Sequence, residues 1–404
     1  MARVLFINPG PSGHINPTVA LCKELVARGE EIVYYASDQF QDKLKDTGVE
    51  IRSFNTDEMI DAFREYGKDN LFQVINGLLN TVDMMLPRLI EETKDEHYDY
   101  MIYDSMFGCG KLLAQKLNIP TVSSVTSFAH TKTSFDQFLN AMATTVDPED
   151  KAESDAHFEN LRKQIQSKYN VDVPNRFEVM YNPGDLHISY IMKKFQLDYK
   201  SFDNPQFFFA GPSVQEPTDS GFMDELDRTR PIIYISLGTV FNQNIPFFNK
   251  CFTALKDVDA TVVVSIGNVN SLDDFEDVPS NFVIKATVPQ VELLQHTSLF
   301  LTHAGMNSTN ESMKMNVPML AFPQSADQPV VSKQIEDLGL GQRLNAETMT
   351  PEHLQETIVE MLENLDYYKS NIGKIKAEQN SDKAGYELAA DRIFEFRKEF
   401  CPQI

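Results

Sequence analysis

Short apolar runs rich in β-branched residues alternate with helix-like segments from the first residues onward, and this alternation limits the chain to a parallel sheet covered by helices. VLFI (Val4 to Ile7), EIVYYAS (Glu31 to Ser37), VEIRSF (Val49 to Phe54), YDYMIYD (Tyr98 to Asp104) and IPTVSSV (Ile119 to Val125) read as strands. Asn16 reads as an N-cap with Pro17 at the first helical position, and the helix stops at Gly29. From Ser127 to about Val179 the pattern is helix-prone and strandless, like an insertion on the alternation. Strand-like LHISYIM and FFFAG follow.

The stretch FFFAGPSVQEPTDSGF (Phe207 to Phe222), with its Gly, Pro, Ser and acidic content, is the best linker candidate, because the alternation then begins again. PIIYISLGT (Pro231 to Thr239), ATVVVSIG (Ala260 to Gly267), NFVIKA (Asn281 to Ala286), SLFLTH (Ser298 to His303) and VPMLAFP (Val317 to Pro323) read as strands of a second half. The expected α/β architecture is two doubly wound Rossmann-like domains facing a cleft, residues 1–212 and 213–385, with a helix over 386–404 packing back on the N-terminal domain. Ligands of such sheets bind beyond the carboxyl ends of strands, at topological switch points.

Composition narrows the partners. A net charge of −23 over 404 residues repels phosphate backbones and anionic membranes, and no basic patch offsets it, so nucleic acid is not an expected ligand. Four scattered cysteines without a C-x-x-C spacing suit a reducing compartment and give no zinc site. The N-terminal stretch lacks the form of a signal peptide, and no apolar run has membrane-spanning length. The expectation is a cytoplasmic protein with no integral membrane contact, as a monomer or weak homodimer.

The most informative run is SLFLTHAGMNSTNES (Ser298 to Ser312). An apolar strand ends at His303, a small residue and Gly305 follow, and Asn307, Ser308 and Thr309 lead into a helical pattern. Backbone N–H groups at a helix start, helped by the dipole, hold a phosphate anion, and small polar side chains add donors without bulk. Glu311 falls on the same helix face as Asn307 and suits a ribose diol. SLGT (Ser236 to Thr239), VPQ (Val288 to Gln290) and AFPQSADQ (Ala321 to Gln328) are further strand-end loops of the same half. Loops on one sheet edge can converge on one ligand.

In this order and spacing the four segments resemble the donor-binding signature of family 1 glycosyltransferases with the GT-B fold, and of the bacterial macrolide and flavonoid glucosyltransferase group in particular. The resemblance spans essentially the whole chain, with GHINPT (Gly13 to Thr18) similar to that group's catalytic-histidine turn. It implies an inverting, metal-independent transferase that uses a UDP-sugar, with glucose favoured by Gln328, as co-substrate and needs no other cofactor. Carried over, it places Ser236, Gly238, Thr239 and His303 near the diphosphate, Asn307 with Ser308 near the α-phosphate, and Gly305 among the donor-binding residues. Glu311 is then the ribose contact, Val288 and Gln290 border the uracil, and Asp327 with Gln328 contacts sugar hydroxyls. One position departs from the pattern: Thr287 stands where the family commonly has an aromatic residue against the base, which leaves a TDP-sugar open.

In the first half His14 and Asp104 are the candidate catalytic pair. A neutral imidazole can take the proton of an attacking hydroxyl, and a carboxylate on its second nitrogen sets the tautomer; the resemblance implies these roles for both residues. NPGPSGH is not a dinucleotide fingerprint, since it lacks G-x-G-x-x-G and its prolines remove backbone donors. Met84, Phe107, Phe128 and His130 are candidates to line an apolar acceptor cleft for a flavonoid, other phenolic or macrolide. Asp257 and Asp259 form an isolated D-x-D without His or Cys neighbours, so no metal site is expected. Two other readings keep the same fold: a nucleotide-sugar epimerase or hydrolase, and a non-catalytic sugar-nucleotide-binding protein.

Overall fold

The computed structural model describes residues 1–173, 175–238, 243–275 and 277–401. These divide into two compact units, one of Met1–Val214 with Lys383–Ile404 and one of Gln215–Asp382.

The first unit holds a seven-stranded sheet of β1 (Arg3–Ile7), β2 (Glu31–Ser37), β3 (Glu50–Phe54), β4 (Tyr100–Asp104), β5 (Thr121–Val125), β6 (Leu186–Ser189) and β7 (Phe207–Phe209). Its order is β3-β2-β1-β4-β5-β6-β7 and every pairing is parallel. The two-residue period of a strand sorts the side chains onto two faces. Leu5, Ile7, Val33, Tyr35, Met101 and Tyr103 pack on one, with the helices Leu71–Thr93 and Pro148–Tyr169. Val4, Phe6, Ile32, Tyr34, Tyr100 and Ile102 pack on the other, with the helix Ser12–Ala27 and the C-terminal helix Gly385–Phe400. Ala389, Ala390, Ile393 and Phe396 of that last helix are buried, and Arg397 pairs with the buried Glu30. Burying Ile393 and Phe396 contributes about 2 kcal/mol each. The strandless stretch between β5 and β6 forms the helices Lys132–Ala143, Pro148–Tyr169 and Arg176–Met180, whose Phe135, Phe158, Leu161 and Ile165 join the first face.

The second unit holds a six-stranded parallel sheet of β8 (Ile232–Ser236), β9 (Thr261–Ser265), β10 (Phe282–Lys285), β11 (Thr297–Thr302), β12 (Met319–Ala321) and β13 (Gly341–Arg343), in the order β10-β9-β8-β11-β12-β13. The edge strand β13 carries no apolar run and is not legible in the sequence. Gly341 is there because a Cβ would fall 1.7 Å from the carbonyl oxygen of Met319 on β12.

Each sheet reverses its winding once, between β1 and β4 in the first unit and between β8 and β11 in the second. Crevices form at these reversals because the following helices leave toward opposite faces. Among the described residues no helix is long and apolar enough to cross a membrane.

Candidate active site

In the first unit the chain leaves β1 through Asn8, Pro9 and Gly10. Asn8 is fully buried; its Oδ1 accepts from the Gly10 N–H at 3.2 Å and its Nδ2 donates to the His14 carbonyl at 3.0 Å. Ser37 at the end of β2 donates to the Pro9 carbonyl at 2.7 Å. The helix then starts at Ser12 with Pro11 at the N-cap, not at Asn16 as the sequence suggests. Pro11, at φ −69° and ψ 173°, has the dihedrals an N-cap needs, and the His14 N–H donates to its carbonyl at 2.8 Å. Pro17 therefore lies inside the helix, where it costs one helical hydrogen bond.

This shift puts His14 in the first helical turn. Its Nδ1 lies 2.7 Å from Oδ2 of Asp104, the last residue of β4. The Asp104 side chain is wholly buried and that of His14 is 16% exposed. The second carboxylate oxygen accepts from the Met106 N–H at 2.9 Å. Both oxygens are thus compensated, as a buried carboxylate requires. With Nδ1–H donated to Asp104, the lone pair of a neutral ring falls on Nε2, an arrangement that can accept a proton. β1 and β4 flank the sheet's reversal, so one residue from each side of that crevice forms the pair. Phe107 stands edge-on to the His14 ring, centroids 6.3 Å apart at 79°.

Asn8 and Gly10 escape sequence reading as parts of this site. A Cβ at Gly10 would meet His14 Cβ at 2.8 Å, so the close approach of turn and helix requires glycine. The signal was present in the Asn-Pro-Gly order, which favours a side chain bonding to backbone two residues on.

In the second unit β8 ends at Ser236, whose hydroxyl accepts from the Gly238 N–H at 3.2 Å. Gly238 has φ +78°. His303 follows β11, and its ring is held between two glycines: a Cβ would fall 2.6 Å from its Cε1 at Gly238 and 2.4 Å from its Nε2 at Gly305. Burial pulls the His303 pKa down to about 4, against a hydrogen bond with the Ser236 backbone that raises it. The ring is neutral near pH 7. Ala304 is buried at φ +61°, a conformation alanine adopts only under constraint from its surroundings.

Gly305, at φ −65° and ψ 142°, is the N-cap of the helix Met306–Lys314. Asn307 and Ser308 lie in the first turn, which carries no acidic residue, so the positive end of the dipole is uncompensated by side chains of that turn. Gln290, first residue of the helix Gln290–Leu294, donates to Glu311 Oε2 at 2.5 Å and to Ser308 Oγ at 3.2 Å. Val288 is half-buried and Thr287 exposed. β8 and β11 flank the reversal of this sheet, so Ser236, Gly238, His303 and Gly305 gather at its crevice, and the helix from Gly305 ties Ser308, Glu311 and Gln290 to them. Thr239 lies outside the described residues.

Asp327 and Gln328 sit on the next loop, after β12. Asp327 is the N-cap residue of the helix Gln328–Asp337, and the buried Gln328 turns its Oε1 back to accept from the Gln324 and Ser325 N–H groups at 2.8 and 3.2 Å. That oxygen staples its own loop. Of the acceptor candidates, Met84 and Phe107 are half-buried against the first unit's core. Phe128 is 5% exposed and stacked on Phe195, with centroids 5.6 Å apart, which makes it a packing residue in this structure. His130 lies among Phe135, Phe138 and Tyr181, and burial pulls its pKa down to about 4. Among the described residues no three His, Cys, Asp or Glu side chains group as a metal site.

Residues 249–394 match the family model described as erythromycin biosynthesis protein CIII-like, C-terminal domain. The chain is 33% identical to the uncharacterized UDP-glucosyltransferase YojK of Bacillus subtilis, over 99% of this chain and 98% of that one. It is also 33% identical to the NDP-glycosyltransferase YjiC of the same organism, over 98% of each. The crystal structure of the calicheamicin glycosyltransferase CalG4 superposes with a TM-score of 0.84 at 24% identity, covering 100% of both chains. Two parallel α/β units of this topology and relatives of this identity along the full length place the chain in the family 1 glycosyltransferases of the GT-B fold.

Proposed function

We propose that the enzyme transfers glucose from UDP-glucose to a hydroxyl of a small hydrophobic acceptor, phenolic or macrolide, with inversion at the anomeric carbon. The observation that carries this reading is the 2.7 Å contact between His14 and the buried Asp104 at the first unit's switch point. His14 Nε2 takes the hydroxyl proton while the acceptor oxygen attacks the anomeric carbon. The bond from that carbon to the diphosphate breaks, and UDP leaves with the electron pair. Asp104 stabilises the imidazolium as it forms. The helix N-terminus at Gly305, with Ser236, Gly238, His303, Asn307 and Ser308, neutralises the leaving diphosphate without a metal.

Glu311 holds the ribose, Val288 and Gln290 border the base, and Asp327 with Gln328 contacts the sugar. The relatives' names support a nucleotide-sugar donor, one naming UDP-glucose chemistry and one a broader nucleotide range. These are transferase names, so the epimerase, hydrolase and non-catalytic readings gain no support. A screen of UDP- and TDP-sugars against phenolic and macrolide acceptors, with mass detection of products, tests the proposal. Sugar turnover that ignores the acceptor overturns it.

A further inference from the structure

The phenol of Tyr234, on β8, is 1% exposed and its ring lies flat on Phe300, with centroids 4.7 Å apart at 4°. Its hydroxyl donates to Gln290 Oε1 at 2.8 Å. The Gln290 amide nitrogen faces the other way, to Glu311 Oε2 at 2.5 Å and Ser308 Oγ at 3.2 Å. This direction is forced. A flipped amide would turn its oxygen onto the Glu311 carboxylate, two acceptors with no proton between them. Burial pushes the Tyr234 phenol up, and the nearby Glu311 charge adds to that, so the hydroxyl keeps its proton and remains a donor.

We propose that Tyr234 is a positioning residue that, through Gln290, sets the Glu311 carboxylate for a ribose diol and thereby selects ribonucleotide over 2′-deoxyribonucleotide donors. The proposal rests on the reading that Glu311 holds the ribose, and it adds a residue that touches no substrate atom. The geometry gives Tyr234 this task because a half-buried carboxylate on a helix face has several rotamers, and one amide anchored at its far end by a buried hydroxyl selects one of them.

The test is calorimetric titration of UDP and of 2′-deoxy-UDP into the wild type, Tyr234→Phe, Gln290→Ala, Glu311→Gln and the Tyr234→Phe/Gln290→Ala double variant. Loss of one hydrogen bond in the relay lowers the preference for UDP over the deoxy analogue about fivefold in Tyr234→Phe. KM for the donor rises by a similar factor while kcat holds. In the Gln290→Ala background the tyrosine change has no further effect. A wild-type preference in Tyr234→Phe beside a collapsed one in Glu311→Gln, or independent losses in the double variant, overturns the relay and leaves the ribose reading standing. A wild-type preference in Glu311→Gln overturns the ribose reading itself and the relay with it.

Discussion

The imidazole of His14 and the carboxylate of Asp104 are joined by a 2.7 Å contact through Nδ1 and Oδ2, although the two residues are 90 positions apart in the chain. The pairing decides which ring nitrogen is basic. Asp104→Asn presents an amide that does not distinguish the productive tautomer from the other, and kcat should fall about 10²- to 10⁴-fold. His14→Ala should abolish transfer. In both variants the affinity for UDP, measured by calorimetry, stays near wild type, and an equal loss of binding and turnover would remove the assigned roles.

Gly10→Ala tests whether the position of the base matters as much as its identity. The new Cβ falls 2.8 Å from His14 Cβ and 3.0 Å from Asn8 Oδ1, so turn and helix must part by some tenths of an ångström. A misplacement of about 1 Å costs roughly 10²-fold in turnover, so a shift of a few tenths should lower kcat about three- to tenfold. Secondary structure by circular dichroism and UDP binding should be retained, and unchanged kcat would show that the close approach is dispensable.

Gly305→Ala is the matching test of the donor side. A Cβ there lies 2.4 Å from His303 Nε2, and the ring, already held against Gly238, has no room to retreat. The variant should weaken UDP binding at least tenfold, about 1.4 kcal/mol, and leave the His14–Asp104 contact intact. Wild-type UDP affinity in Gly305→Ala argues that the diphosphate sits elsewhere.

Acid stability follows from three histidines that are buried or partly buried. Burial holds His130, His187 and His303 each at about 4, whereas an unfolded histidine titrates near 6.5. Between those values the unfolded chain binds protons that the folded chain does not. Stability is therefore full above about pH 6.5 and declines as pH falls toward 4, by about 2–3 kcal/mol for each histidine. Urea unfolding at pH 7, 6 and 5 measures the slope. His187 stacks on Phe207 away from both candidate sites, and His187→Gln should reduce proton uptake on unfolding by one. An unchanged slope would mean that His187 titrates in the folded protein.

Continuous apolar runs such as EIVYYAS and the run at Thr297–Thr302 announce strands because both faces of a parallel sheet are buried, and such runs are local. The helix Gly385–Phe400 was legible because its apolar residues recur at helical spacing, which is also a local pattern. β13 was not, because its three residues are specified by contact with β12 and not by their own side chains. The helix starts before Asn16 although proline favours a first turn: Pro17 at the sixth position forfeits a helical hydrogen bond, and the bonds that fix the earlier start come from Asn8 and Pro11.

The sequence by itself determined the two alternating halves, the strand-end loops that carry polar chemistry, and His14, His303 and Glu311 as the residues to watch. Local patterning encodes these because each depends on neighbours a few positions away. Tertiary structure alone decided that Asp104 is buried against His14, that two glycines grip His303, and that Tyr234 reaches Glu311 through Gln290. Each of these relations joins residues from different strands across a sheet reversal or between neighbouring loops, and the strand order that brings them together is a property of the packed sheet.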